Sequence, residues 1–151
     1  MAQRINYFTT APKAMAVLLA QEEYLGQEFK DKAALWELIK LRVSQINQCA
    51  YCIDMHSKDA LSQGESVERL YGLSAWREMP FYSDLEKSAL SWAELIISGE
   101  PVSDIQYQSA LSALGEQGLV DLTVAVNAIN SWNRIGKAFK PDVGDYKPRS
   151  A

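Results

Sequence analysis

The chain is short of the residues that most often carry chemistry: its 151 residues include two cysteines and a single histidine. It also lacks a surplus of positive charge. Lysine and arginine number 15 against 19 aspartates and glutamates, a formal net charge of −4. That balance leaves no basic footprint for nucleic acid and no lysine-rich face for anionic lipid. No apolar run approaches the roughly 18 residues that a membrane-spanning helix needs, so no membrane partner is expected. The opening residues Met1-Ala-Gln-Arg-Ile-Asn6 lack the apolar centre of a secretory signal, and a cytoplasmic setting is the expectation. Alternation with period two is absent over any useful length, and neither Asn-Gly nor Asp-Gly occurs, which excludes a hairpin-rich β architecture. Low-complexity tracts, long linkers and repeats are missing too. With 48% hydrophobic residues, one domain over residues 1–151 has enough material for a core.

The scarce residues are concentrated in one place. Both cysteines and the histidine lie in Gln48-Cys49-Ala50-Tyr51-Cys52-Ile53-Asp54-Met55-His56. On a helix these spacings put Cys49, Cys52 and His56 on one face, a turn apart. A dithiol beside a titratable imidazole suits redox chemistry, and in a reducing compartment a Cys-x-x-Cys is more often catalytic or metal-binding than structural. Two other readings compete. Zinc would take both thiolates and the imidazole, but a closed site needs a fourth ligand, which Asp54 or Glu37 would have to supply. A purely structural disulfide between residues three apart closes a tiny loop and restricts the unfolded chain little. Metal and cofactor are therefore not expected.

Helix signals divide the rest of the chain. Thr10-Ala11-Pro12 opens a first helix, with Ala14, Val17, Leu18 and Leu25 as an apolar stripe. Asp31 is the expected N-cap of a second, whose buried face is Leu35, Leu38, Ile39, Val43 and Ile46. A third starts near Cys49 and runs to Gln63, stopped by Gly64. Short helical pieces follow over Ser66–Tyr71 and Ser74–Glu78. Ser83-Asp-Leu-Glu86 and Ser103-Asp-Ile-Gln106 are capping boxes, opening helices that end near Gly99 and Gly115. A last helix spans about Leu119 to Phe139. The fold class is all-α. Trp36, Trp76, Trp92 and Trp132 fall on these segments and are read as core residues, with contacts to other subunits as the alternative.

Peroxide reduction needs a thiolate, and a free cysteine, with a pKa of about 8.5, requires help at neutral pH. The start of the third helix offers partial positive charge and free N–H groups. His56, one turn beyond Cys52, can accept and return a proton. Glu37 lies on the helix before the motif, beside apolar neighbours, and is either a solvated edge residue or a partner for the imidazole. Asp54 points away from the Cys49, Cys52 and His56 face and reads as a surface or capping charge.

Glu37, followed after eleven residues by Cys49-Ala-Tyr-Cys52-Ile-Asp-Met-His56, resembles the core motif of alkylhydroperoxidase D (AhpD)-like proteins of the carboxymuconolactone decarboxylase superfamily. Leu41–Asn47, Leu73–Glu78 and Ile129–Arg134 resemble the same group, so the likeness runs from about Asn6 to Tyr146. It implies an all-α, AhpD-like domain that assembles obligately into homo-trimers or homo-hexamers. It also implies thiol-dependent peroxidase activity on a small-molecule hydroperoxide, without metal or haem, sustained by a dithiol or thiol-protein reductant. By position, Cys52 would attack the peroxide, Cys49 would resolve the sulfenic acid to a disulfide, and Glu37 with His56 would form the proton relay. The founding peroxidases carry a second histidine where this chain has Tyr51. A tyrosine donates a hydrogen bond but is a poor base at neutral pH, so Tyr51 is a weaker relay candidate. Decarboxylase members lack the cysteine pair, which disfavours lactone decarboxylation. A redox sensor that changes contacts when Cys49 and Cys52 pair is the alternative, with a metal-binding protein behind it.

Overall fold

A computed structural model describes residues 4–148, which form helices and turns with no strand among them. The helices are α1 (Tyr7–Thr10), α2 (Pro12–Glu28), α3 (Ala33–Asn47), α4 (Ala50–Ser62), α5 (Val67–Gly72), α6 (Asp84–Ser98) and α7 (Asp104–Phe139). The innermost is α3, which packs against α4, α6 and α7 and contributes Leu38, Ile39 and Val43 to the fully buried core. Leu25 of α2, Leu90 of α6, and Leu122, Val126 and Ile129 of α7 close around them.

Local chemistry sets the boundaries. Pro12 stands in the first turn of α2, where its missing N–H costs nothing. Both capping boxes form as the sequence predicts: Ser83 and Glu86 open α6, Ser103 and Gln106 open α7, each pair satisfying free N–H groups reciprocally. Gly99 ends α6 in the left-handed conformation. Inside α7, Gly115 (φ 73°) breaks the helical path, and the chain resumes helix immediately rather than near Leu119.

Four expectations need correction. Asp31 is not an N-cap. Phe29 is buried and its carbonyl accepts from Lys32 N, so the chain makes a 3₁₀ turn over Lys30–Lys32 and α3 begins after it without a side-chain cap. In α2, Leu25 of the expected stripe is buried and Leu18 half-buried, whereas Ala14 and Val17 face outward, Val17 at 71% exposure. Ile46 is exposed at the end of α3. Ser74–Glu78 is a 3₁₀ turn over Leu73–Ala75 followed by turns, where buried Trp76 donates its indole N–H to Glu94 at 2.9 Å. Trp76 and Trp92 are core residues, whereas Trp36 and Trp132 are half-buried.

Two carboxylates clamp the α5–α6 side. Glu94 holds Arg42 at 2.7 Å and Arg77 at 2.6 Å, and Glu86 holds Arg69 at 2.5 Å. Burial opposes the charged form of each. It is outweighed at Glu94 by the Trp76 N–H, Arg42 and Arg77, and at Glu86 by Arg69 and the Ser83 backbone, so both carboxyls sit below the ordinary value of 4.5. A group lowered on folding adds stability above its unfolded pKa and loses it as pH falls through the folded value. Thermal unfolding followed by circular dichroism should therefore show a melting temperature level above about pH 5 and falling steadily below about pH 4.5.

Candidate active site

The site begins at the α3–α4 corner. Gln48 takes the left-handed conformation (φ 54°), which costs a non-glycine residue about 1–2 kcal/mol. The turn is closed by Gln48 N to Gln45 O at 3.1 Å and Cys49 N to Ser44 O at 3.0 Å. Cys49 thereby becomes the extended N-cap of α4, Cys52 lies in its first turn, and His56 follows one turn later. The two cysteines are joined as a disulfide, with their Cα atoms 5.3 Å apart, and both are buried. Against them runs the backbone of α7. A Cβ at Gly136 would stand 2.9 Å from Cys49 Sγ and 3.5 Å from Cys52 Sγ, so glycine is what lets this helix lie on the sulfurs.

A polar seam fixes that contact. Fully buried Asn133, one turn before Gly136, donates to Ser44 Oγ at 2.9 Å and accepts from Asn47 Nδ2 at 3.0 Å. Asn47 also donates to Asn130 at 3.0 Å, and Ser44 donates to Lys40 O at 2.7 Å. The α3 side of the corner is thus tied to α7 by hydrogen bonds, and the cysteine side is packed on Gly136. Asn130 and Asn133 lie in a stretch whose resemblance was legible, but nothing in their spacing told that they grip the cysteine turn.

Glu37 is no solvated edge residue: it is 4% exposed, and so is His56. Glu37 Oε2 lies 3.1 Å from His56 Nδ1, and its other oxygen accepts from Lys40 Nζ at 2.5 Å. Lys40 in turn lies over the Trp36 ring at 3.8 Å. Burial pushes the Glu37 carboxyl upward, but the His56 hydrogen bond and the Lys40 charge outweigh it and hold the group below the ordinary range. His56 Nε2 is buried and finds no hydrogen-bond partner among the described residues. The ring is therefore anchored at one nitrogen and uncommitted at the other.

Tyr51 is half-buried and lines a cleft of about 600 Å³ with Gln48, Cys49, Gly136, Lys140 and Val143. Cys49 borders this cleft; Cys52 does not. Asp54 lies off the site, paired with Lys58 at 2.9 Å and accepting from Gly144 N at 3.2 Å. Among the described residues, the group that could hold a metal is Glu37, His56 and Asp59, whose donor atoms lie within 4.8 Å of one another. It includes neither cysteine, so the thiolate–imidazole zinc set is not assembled. Lys40 and Tyr146 already bond Glu37 and Asp59, and an ammonium on one of the carboxylates opposes a second cation there.

A helical scaffold with a Cys-x-x-Cys pair at a helix start, next to a buried Glu–His pair, is a defined class of protein. Residues 12–95 match the model of the carboxymuconolactone decarboxylase family, and the chain belongs to that family as an AhpD-like member. It is 44% identical to the uncharacterized protein YdfG of Bacillus subtilis over 141 residues, covering 92% of this chain and 95% of that one. A crystal structure of a protein of unknown function from Agrobacterium tumefaciens, ascribed to antioxidant defence as an AhpD, matches with a TM-score of 0.87. The identity is 34%, over 95% of this chain and 99% of that one. An uncharacterized peroxidase-related protein of Silicibacter shares the fold at a TM-score of 0.77 and 18% identity, over 88% of this chain and 71% of that one.

The contact at Gly136 generates a paired prediction. Gly136→Ala forces a methyl group into the sulfurs and should destabilise the protein by about 1–3 kcal/mol, the usual cost of overpacking. Gly118→Ala, also within α7, meets only Leu114 Cβ at 3.8 Å and should stabilise by about 0.5–1 kcal/mol. Urea unfolding of both variants measures the difference in sign.

Proposed function

We propose that the protein is a thiol-dependent peroxidase that reduces small hydroperoxides with its Cys49–Cys52 dithiol. The observation that carries this reading is the state of His56: Nδ1 fixed by Glu37, Nε2 uncommitted, one turn beyond Cys52 on the same helix. Such a ring takes the Cys52 proton at Nε2 while Glu37 balances the imidazolium. The thiolate attacks the terminal peroxide oxygen, the O–O bond breaks, and the alkoxide leaves with the proton returned by His56. Cys52 is then a sulfenic acid. Cys49, the N-cap of α4, attacks that sulfur and displaces water, forming the disulfide. A dithiol reductant entering the cleft on the Cys49 side restores both thiols and is itself oxidised to a disulfide. Tyr51, on the cleft wall, supplies a hydrogen-bond donor where the founding peroxidases carry histidine. A reducing compartment such as the cytoplasm suits this cycle, and among the described residues no helix is long and apolar enough to cross a membrane.

The test is peroxide consumption with cumene hydroperoxide and either a small dithiol or a dithiol protein as reductant. Wild type should turn over with at least one of them, and Cys52→Ser should not. A wild type silent with every reductant would end the peroxidase reading. Glu37→Gln keeps the side chain's size while removing its charge and should lower turnover by about a hundredfold.

Self-association is part of the proposal. Val17, Leu19 and Tyr24 of α2 and Ile105 and Val120 of α7 are exposed apolar side chains, Ile105 at 83%, and a second copy of the chain is the occupant that the AhpD-like family suggests. Light scattering should give a mass three or six times the 16.9 kDa of one chain; a value near 16.9 kDa would overturn it.

A further inference from the structure

Downstream of α7 the chain turns back as a strap over the outer side of α4. Lys58 Nζ donates to Gly144 O at 2.8 Å, Gly144 N donates to Asp54 Oδ2 at 3.2 Å, and Tyr146 Oη donates to Asp59 Oδ1 at 2.8 Å. The first two contacts pin the strap to one side of the helix. The third reaches the relay. Asp59 follows His56 by one turn and is half-buried, and one of its oxygens lies within 4.8 Å of donor atoms of both His56 and Glu37. His56 thus has two carboxylates beside it, only one of which is hydrogen-bonded to it.

We infer that Asp59, held in place by the Tyr146 hydroxyl of the strap, is a positioning residue for the dithiol's relay. It supplies a second anion beside His56 that favours the ring's protonated form once the ring has taken the thiol proton. The neighbouring charges agree with this division of labour. On α3, Glu37 is partly neutralised by Lys40, whose ammonium disfavours a positive imidazole nearby. Asp59 offsets that cation from the α4 side. Tyr146 is kept in its neutral, donating form by burial first, then by the hydrogen bond and charge of Asp59, and by the charges of Glu37 and Tyr51. Asp54, also on α4, is engaged by Lys58.

The inference rests on the relay reading, but its test needs no peroxide. Reduced wild type, Asp59→Asn, Asp59→Glu and Tyr146→Phe are alkylated with iodoacetamide across pH, and labelling of Cys52 is followed by mass spectrometry. Loss of an opposite charge at this distance moves a titration by about one to three units, the lower end applying to a half-exposed group. The Asp59→Asn profile should therefore move to higher pH by about one unit, leaving Cys52 roughly tenfold slower to label at neutral pH. Asp59→Glu should restore the wild-type profile, and Tyr146→Phe should move it the same way by less. An Asp59→Asn profile that overlies wild type, or moves to lower pH, overturns the inference. Should that variant fail to fold, Tyr146→Phe decides, and an unmoved profile there overturns it equally. A shifted profile in a protein that consumes no peroxide would end the peroxidase reading and leave this one standing. Active wild type with superimposed profiles would do the reverse.

Discussion

Asn133 is buried without exposure between two helices, and an amide in that position must bond at both ends or cost about 1–3 kcal/mol. It finds Ser44 at one end and Asn47 at the other, both in the last turn of α3 that leads into the cysteine turn. The same helix carries Gly136 one turn on, lying against both sulfurs. These two positions of α7 make the corner between α3 and α4 a fixed structure rather than a flexible loop. The left-handed Gln48 is tolerated because its neighbours are held on both flanks. Precision at the dithiol is therefore supplied by a helix about eighty residues away in sequence.

Burying Glu37, Lys40 and His56 together removes two permanent charges and one conditional one from water, which is costly unless every charge is matched. The match is close: each Glu37 oxygen has one partner, and Lys40 lies over an aromatic face as well. What remains unmatched is a single ring nitrogen. A cluster built only for stability would satisfy it or replace the set with apolar side chains; leaving it open is consistent with a group whose partner comes and goes during a reaction.

The cleft gives the site a direction. Its wall includes Cys49 and Tyr51, while Cys52 and the His56–Glu37 pair do not line it. In the proposed cycle, proton transfer would fall on the inner side and thiol exchange on the outer one. The C-terminal strap, which contributes Val143 to the cleft and Tyr146 to Asp59, borders both.

The helices and their caps were legible because they depend on near neighbours. Ser83 with Glu86, Ser103 with Gln106, Gly99, and the buried face of α3 follow from side chains within a turn of one another. The one-face grouping of Cys49, Cys52 and His56 is of the same kind. Asp31 failed as a cap because Phe29, two residues before it, is buried in the core and the chain makes a 3₁₀ turn over Lys30–Lys32 before α3 begins. Val17 and its stripe failed because periodicity reports an apolar face without saying what covers it. By itself, then, the sequence determined an all-helical chain with a dithiol and an imidazole along one helix. Only the tertiary structure decided that Glu37 is inside, that Gly136 and Asn133 press and pin the cysteine turn, and that Tyr146 of the strap reaches Asp59 on α4. Those are contacts between residues far apart in the chain, and they depend on how whole helices settle against each other to bury area, which no local pattern encodes.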